Sequence, residues 1–126
     1  MLLAASDLVV SKAGGLIVSE ALARGLPLII PTAQLVGQER WNAAYVIEAQ
    51  AGLGCAVTGQ VAEACAALLA APERLAALSA AALALGQPEA AAQIATRVLA
   101  DLAYRQHGAV AADQVGHPMW RSMALQ

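Results

Sequence analysis

Residues Ser11-Lys-Ala-Gly-Gly15 sit where a short apolar run hands over to a helical pattern. In open α/β sheets, ligands collect at the carboxyl ends of strands. Two glycines there let a ligand approach the backbone, because neither carries a Cβ. The helix that follows offers N–H groups without intrahelical partners and the positive end of its dipole, which together suit a phosphate. Lys12 adds a cation beside them. The turn matches neither the dinucleotide fingerprint nor a Walker loop, so alone it reads equally well as a tight turn. Glu20 lies in the second turn of the same helix. Its carboxylate can accept hydrogen bonds from two vicinal hydroxyls, as on a ribose. Arg24, four residues on, offers an ordinary surface ion pair instead, and spacing alone favours that pair.

A second polar set is Gly37-Gln-Glu-Arg-Trp-Asn42. Gln38 and Asn42 lie about one helical turn apart on a shared face. Amides and a carboxylate at a helix start, just past a strand, can hold sugar hydroxyls without burying net charge. The competing structural role is capping of the helix by Gln38 and Glu39, with Trp41 packed in the core or at an interface. His107 and His117 have no ligand-like spacing to another candidate and receive no role. Cys55 and Cys65 are too few for a disulfide framework and lie among apolar residues. They read as buried thiols in a reducing, cytoplasmic setting.

The elements that position these residues follow from hydrophobic periodicity. Asp7–Ser11 predicts a strand. Gly15–Arg24 predicts a helix with Ile17, Val18, Ala21 and Leu22 on its apolar face and Gly25 as its stop. Leu26–Ile30 is continuously apolar, as in a parallel strand covered on both faces. Pro31–Gly37 is a loop, Gln38–Gln50 a second helix ending before Gly52, and Leu53–Val57 a third strand. This β-α-β-α-β order predicts a short parallel sheet with crossover helices. Ala-rich helices follow: Gln60–Ala71, Pro72–Gly86, and one from Pro88 to about Gln106. His107–Gln126 has mixed composition and no clear period, which predicts a surface-wrapping or disordered tail. Leu2–Ala5 reads as the end of a helix whose beginning is missing. Sheets average roughly five or six strands, so three suggest a chain cut at its N-terminus, or a partner chain that supplies the rest.

The chain has 126 residues, enough for one compact domain. It contains no Phe, two Trp and two Tyr, so its core must come from close approach of elements bearing Ala, Leu and Val. A net charge of -2, with neither a basic stripe nor a stacking platform, argues against nucleic acid. The mean hydropathy of +0.61 raises the question of a membrane. The uncharged stretch Leu75–Pro88 is short, and Gly25–Gln38 is broken by Pro27, Pro31 and Gly37. A spanning helix needs roughly 20 apolar residues, so no transmembrane segment is expected, while attachment to the cytoplasmic membrane face remains compatible.

Together, the run from Ala5 to Pro31 and the segment Gly37–Asn42 resemble the C-terminal domain of glycosyltransferase family 28. Within that family they most resemble the diacylglycerol glycosyltransferase branch, which includes monogalactosyldiacylglycerol synthases and processive diacylglycerol glucosyltransferases. That branch shows a Lys-Pro/Ala-Gly-Gly/Pro turn, a helical Glu-Ala pair and a Pro-Gly-Gln-Glu-x-x-Asn segment. The peptidoglycan N-acetylglucosaminyltransferase branch has a similar Gly-rich turn, the Glu, and a Gln-x-x-x-Asn-Ala segment. The likeness is strong over Ala5–Gly54 and weaker to about Leu102. Val36 stands where the lipid branch usually has Pro, and Ile17 where Thr is common.

The resemblance implies a partial Rossmann-like α/β domain, the C-terminal half of a GT-B enzyme. It would span residues 1–106, truncated at the N-terminus, with a tail over 107–126. It also implies that Gly14 and Gly15 face the diphosphate of a UDP-sugar, with Lys12 beside it. Glu20 would contact the ribose, Gln38 and Glu39 the sugar, and Asn42 would support that loop. The implied reaction is metal-independent, inverting hexose transfer with no cofactor besides the donor substrate. Its general base would lie in an acceptor-binding N-terminal domain, so no catalytic residue is assigned to this chain. The leading expectation is the donor-site portion of a hexosyltransferase acting on diacylglycerol, inactive alone. The alternatives are a fragment of the transferase acting on lipid-linked peptidoglycan intermediates, or a non-catalytic UDP-sugar-binding subunit or interaction module. Completion by a separate N-terminal chain, or self-association, fits the thin sheet.

Overall fold

The structure is a computed structural model, and it describes residues 2–112. The chain divides into two units, Met1–Pro88 and Glu89–Gln126. A 3-10 turn, Leu2–Ala5, opens the first unit. There follow β1 (Val9–Val10), α1 (Gly15–Leu22), β2 (Leu28–Pro31), α2 (Gln38–Glu48), β3 (Gly52–Cys55), α3 (Thr58–Leu69) and α4 (Pro72–Leu85). The sheet has the order β1-β2-β3 with both ladders parallel, Val9 opposite Leu28 and Ile29 opposite Leu53. The α/β fold with a short parallel sheet and Ala-rich helices is the one the sequence predicts.

β2 is central, and its apolar run explains why. Leu28, Ile29 and Ile30 have no exposed surface. Leu28 and Ile30 pack with Val18, Ala21 and Leu22 of α1 and Ala43 and Val46 of α2. Ile29 packs on the opposite face with Cys55, Leu68 of α3 and Leu78 of α4. Each such side chain contributes about 1.5–3 kcal/mol on burial. The larger side chains that would fill a thicker interior are missing, so backbones must come close. A Cβ at Gly52 would lie 2.3 Å from the Leu28 carbonyl oxygen, and one at Gly86 would lie 2.3 Å from that of Leu22. Gly86 thus lets the end of α4 back onto the end of α1. Ser79 of α4 adds a hydrogen bond from its Oγ to the Gly25 carbonyl at 2.7 Å.

Helices α1 and α2 end in the same way. The Leu26 N–H donates to Ala21 O and the Gly25 N–H to Leu22 O; the Ala51 N–H donates to Val46 O and the Gln50 N–H to Ile47 O. This is the Schellman pattern, which needs a left-handed residue just past the helix. Gly25 fills that place after α1 with φ of 65°, as the sequence predicts. After α2 the left-handed residue is Gln50, with φ of 57°. Gly52, which the sequence suggests as a stop, belongs to β3, where only glycine fits beside Leu28.

The strands also shift by one or two residues from the expected ranges, and two helix boundaries differ for a visible reason. α3 starts at Thr58 and not Gln60, because the Gln60 Oε1 reaches back to accept from the N–H groups of Ala56 and Val57 at 3.0 and 3.2 Å and so caps its own helix. In the second unit, α5 (Ala90–Ala112) continues past Gln106. Alanines at 109, 111 and 112 are strong helix formers and carry the helix beyond Gly108. The expected tail over 107–126 is therefore helical to Ala112, and its remainder lies outside the described residues. Within α5, Arg97 and Asp101 form an i,i+4 ion pair at 3.5 Å. The stretch Pro72–Arg105 is long and apolar enough by composition to cross a membrane. Non-helical residues at Gly86–Glu89 divide it, and Leu78 and Ala82 are committed to the core.

Both cysteines are free. Burial pushes the Cys55 thiol up from its ordinary range, and the neighbouring Cys65 adds to the shift. At neutral pH Cys55 therefore stays protonated, and it is expected to resist iodoacetamide in the native chain and react on addition of urea. Mass-spectrometric alkylation kinetics check this; equal rates in both states would contradict it. Gln50→Gly relieves left-handed strain and is expected to stabilise the chain by about 0.5–1 kcal/mol in urea unfolding. Gly52→Ala, with a backbone oxygen in its way, is expected to destabilise by about 3 kcal/mol.

Candidate functional site

Of the seven residues singled out by sequence, six come together at the carboxyl ends of β1 and β2. Lys12, Gly14 and Gly15 lie on the β1–α1 turn; Gln38, Glu39 and Asn42 lie in the first turns of α2. Two side-chain links join the segments. Asn42 Nδ2 donates to the Ala13 carbonyl at 2.9 Å. Lys12 Nζ stands 3.6 Å from Glu39 Oε1, with the lysine side chain 65% and the carboxylate side chain 19% exposed. The amide bond is half-buried and holds the geometry. The ion pair is largely solvent-screened and contributes at most about 1 kcal/mol.

The N-terminus of α1 is open. Gly14 is its N-cap and supplies no side-chain hydrogen bond. Its carbonyl takes the Val18 N–H, which leaves the N–H groups of the first turn unpaired, as at any uncapped helix start. A Cβ at Gly15 would meet nothing within 4 Å, and one at Gly14 only Ile17 Cγ2 at 3.8 Å. These glycines are therefore not demanded by packing, in contrast with Gly52 and Gly86. Ser19 is not available to a ligand as a donor, since its Oγ bonds back to the Gly15 carbonyl at 2.9 Å.

The start of α2 is built differently. Gly37 precedes it with φ of 52° and ψ of -126°, a combination suited to glycine. Arg40 Nε donates to the Leu35 carbonyl at 2.9 Å and buckles the preceding loop onto the helix. Glu39 Oε2 accepts from the Val36 N–H at 3.4 Å. Glu39 therefore performs part of the capping role that competed with sugar binding, while Gln38 is exposed and makes no side-chain hydrogen bond among the described residues. Trp41 is 80% exposed, so of the two places its structural role offered, core or interface, the core is ruled out: the buried face of α2 is occupied by Ala43 and Val46, and Trp41 lies off it.

Glu20 has no side-chain hydrogen bond or ion pair to the other six among the described residues; it borders a recess of about 300 Å³ with Leu2, Leu3 and Arg24. The ion pair favoured by its spacing is not formed. Arg24 Nη1 donates to the backbone carbonyl of Glu20 at 3.2 Å, and the carboxylate has no ion-pair partner among the described residues. Arg40 is the residue that sequence reasoning missed. Its acceptor is a main-chain carbonyl, which leaves no compositional trace.

The Asn42 bond generates a test. Asn42→Asp replaces a donor by a carboxylate facing a carbonyl, and is expected to destabilise by about 1–3 kcal/mol at neutral pH. Protonation restores an O–H donor, so the deficit should shrink as pH falls through the carboxylate range near about 4. Urea midpoints of variant and parent across pH check this; a deficit independent of pH would show that the amide is not donating there.

Comparison with known proteins bears on this ledge. The profile of the glycosyltransferase family 28 C-terminal domain matches residues 1–97. A Mycobacterium tuberculosis protein named UDP-N-acetylglucosamine--N-acetylmuramyl-(pentapeptide) pyrophosphoryl-undecaprenol N-acetylglucosamine transferase is 43% identical over 102 residues, covering 77% of this chain and 25% of the relative. Proteins of the same name from Mycobacterium ulcerans and Mycolicibacterium paratuberculosis are 41% and 40% identical over 101 residues, each match covering 76% of this chain and 25% of the relative. The chain thus spans about a quarter of the length of the curated relatives it matches. These relatives bear the name of the branch held above as the alternative, not of the diacylglycerol branch. The match over residues 1–97, which takes in the Gly-Gly turn, Glu20 and the Gln38–Asn42 segment, places the chain in glycosyltransferase family 28 as a C-terminal domain.

Proposed function

We propose that this chain forms the donor-binding wall of an N-acetylglucosaminyltransferase. Its donor would be UDP-N-acetylglucosamine, and its acceptor an undecaprenyl-pyrophosphoryl-linked N-acetylmuramyl pentapeptide. The observation that carries the reading is the uncapped, unobstructed start of α1, tied by Asn42 to the polar start of α2. The names of the mycobacterial relatives favour this acceptor over diacylglycerol.

In this reading the donor's diphosphate lies over Gly14 and Gly15. It accepts hydrogen bonds from the free N–H groups of α1 and meets about half a unit of positive charge from the helix dipole. Lys12 turns from Glu39 toward the same charge. Glu20 accepts from the ribose hydroxyls. Gln38, with Glu39, holds the sugar, and Asn42 keeps the two segments in register. An acceptor hydroxyl attacks the anomeric carbon, the bond to the diphosphate breaks with inversion, and UDP departs with its developing charge facing α1. The proton is taken by a base outside this chain. No metal or further cofactor is assigned a role, and the chain alone is inactive. Because the acceptor is a polyprenyl lipid, the complete enzyme works at a membrane surface.

Calorimetric titration of the folded chain with UDP and with UDP-N-acetylglucosamine tests this. Glu20→Ala is expected to weaken both by roughly tenfold to a hundredfold, the loss of a charged acceptor. Gln38→Ala should weaken only the sugar nucleotide. A folded chain that takes up neither ligand, or a neutral Glu20→Ala, would remove the basis for the proposal.

A further inference from the structure

A cavity of about 400 Å³ opens along the outer edge of β3, on the side of the sheet away from β1. Its inner wall is Gly52, Leu53 and Gly54; its flanks are Ile47 of α2 and Arg74 and Leu78 of α4. The ladder fixes which backbone groups face it. The N–H groups of Leu28 and Thr32 donate to the carbonyls of Ala51 and Cys55 at 3.2 and 2.8 Å. Residues 51, 53 and 55 thus turn their hydrogen-bonding groups toward β2. By the alternation of a parallel ladder, Gly52 and Gly54 turn theirs outward, into the cavity. β3 is an edge strand with no neighbour on this side among the described residues. Gly52 is buried at the cavity floor and Gly54 is exposed, so the outward donor and acceptor open to a partner are those of Gly54, between two helices, as in grooves that take an added strand.

The charge at this groove has one sign. Arg74 is exposed and makes no ion pair among the described residues, and no carboxylate lines the cavity. The remaining lining side chains are apolar or, at Gln50, neutral. We infer that the β3 edge is a docking groove for an extended acidic peptide segment, whose backbone pairs with the exposed Gly54, passing over the buried Gly52, while a carboxylate side chain engages the Arg74 guanidinium. The pairing supplies affinity through main-chain hydrogen bonds. Arg74 supplies the preference for acidic sequence, since its planar fork fits a carboxylate. None of these residues belongs to the donor ledge, so the inference is independent of the proposed transfer reaction.

The probe is a short capped peptide alternating threonine and valine with one central glutamate, beside its lysine counterpart. Each is titrated into the full ¹⁵N-labelled chain. The glutamate peptide is expected to shift the Gly52 and Gly54 amide resonances saturably, leave those of Gly15 and Gln38 in place, and bind at least about tenfold more tightly than the lysine peptide. Arg74→Glu, a surface change that leaves the fold intact, should reverse the preference. Equal binding of the two peptides, or unmoved Gly52 and Gly54 resonances, overturns the inference. So does an edge already occupied by a second copy, seen as a dimer by light scattering with both glycine amides protected from exchange before any peptide is added.

Discussion

The first unit depends on burying one strand from both sides. β2 brings Leu28, Ile29 and Ile30 into a sheet only three strands wide, and each lies wholly out of water. Because the chain has no Phe, that burial is reached by thinning the layers. β3 comes within reach of β2 only where residue 52 has no side chain, and α4 closes on α1 only where residue 86 has none. Close-packed interiors respond to single methylenes, so these two positions govern the spacing on which the carboxyl ends of the strands, and hence the candidate site, depend.

Four of the glycines fall into two contrasting physical classes. Gly52 and Gly86 are required by the protein's own backbone. Gly14 and Gly15 have free space where a Cβ would be and ordinary backbone angles at the helix start. Nothing inside the chain asks for a glycine there, and the proposed function would place the donor's diphosphate in that space. The polar side chains around them divide in a similar way. Asn42 and Arg40 are spent on carbonyls of the chain itself, whereas Glu20 and Gln38 keep their polar atoms free of protein partners among the described residues. Glu39 serves both purposes, holding Val36 and facing Lys12.

Much of this was legible from residue order. The continuous apolar run at Leu26–Ile30 specified a strand covered on both faces, and Gly25 specified the end of α1. The convergence of the Gly-Gly turn and the Gln38–Asn42 segment followed from the β-α-β-α-β order, which puts both at one end of the sheet. What was not legible has a common cause: it rests on main-chain atoms. The Schellman turn at Gln50, the self-capping of α3 by Gln60, the Arg40 buckle and the loss of the Glu20–Arg24 pair all depend on carbonyls or N–H groups that every residue possesses. The acceptor branch was hidden for another reason. Under the proposed function, a phosphate turn and a ribose carboxylate would serve any UDP-sugar enzyme, and the groups that select an acceptor need not lie beside them.

The bond from Asn42 to Ala13 has a consequence for how such a sequence can drift. Its acceptor is a carbonyl, so position 13 is constrained in size, being fully buried, but not in functional group. Position 42 must supply a donor of fixed reach. The two ends of one interaction therefore tolerate different kinds of change: small apolar replacements at 13, almost none at 42. A recombinant that imports the β1–α1 turn from a distant relative can keep the register of the ledge without importing α2, provided the incoming residue is small. One that imports α2 without an amide at this position loses that register, however well the rest of the helix packs.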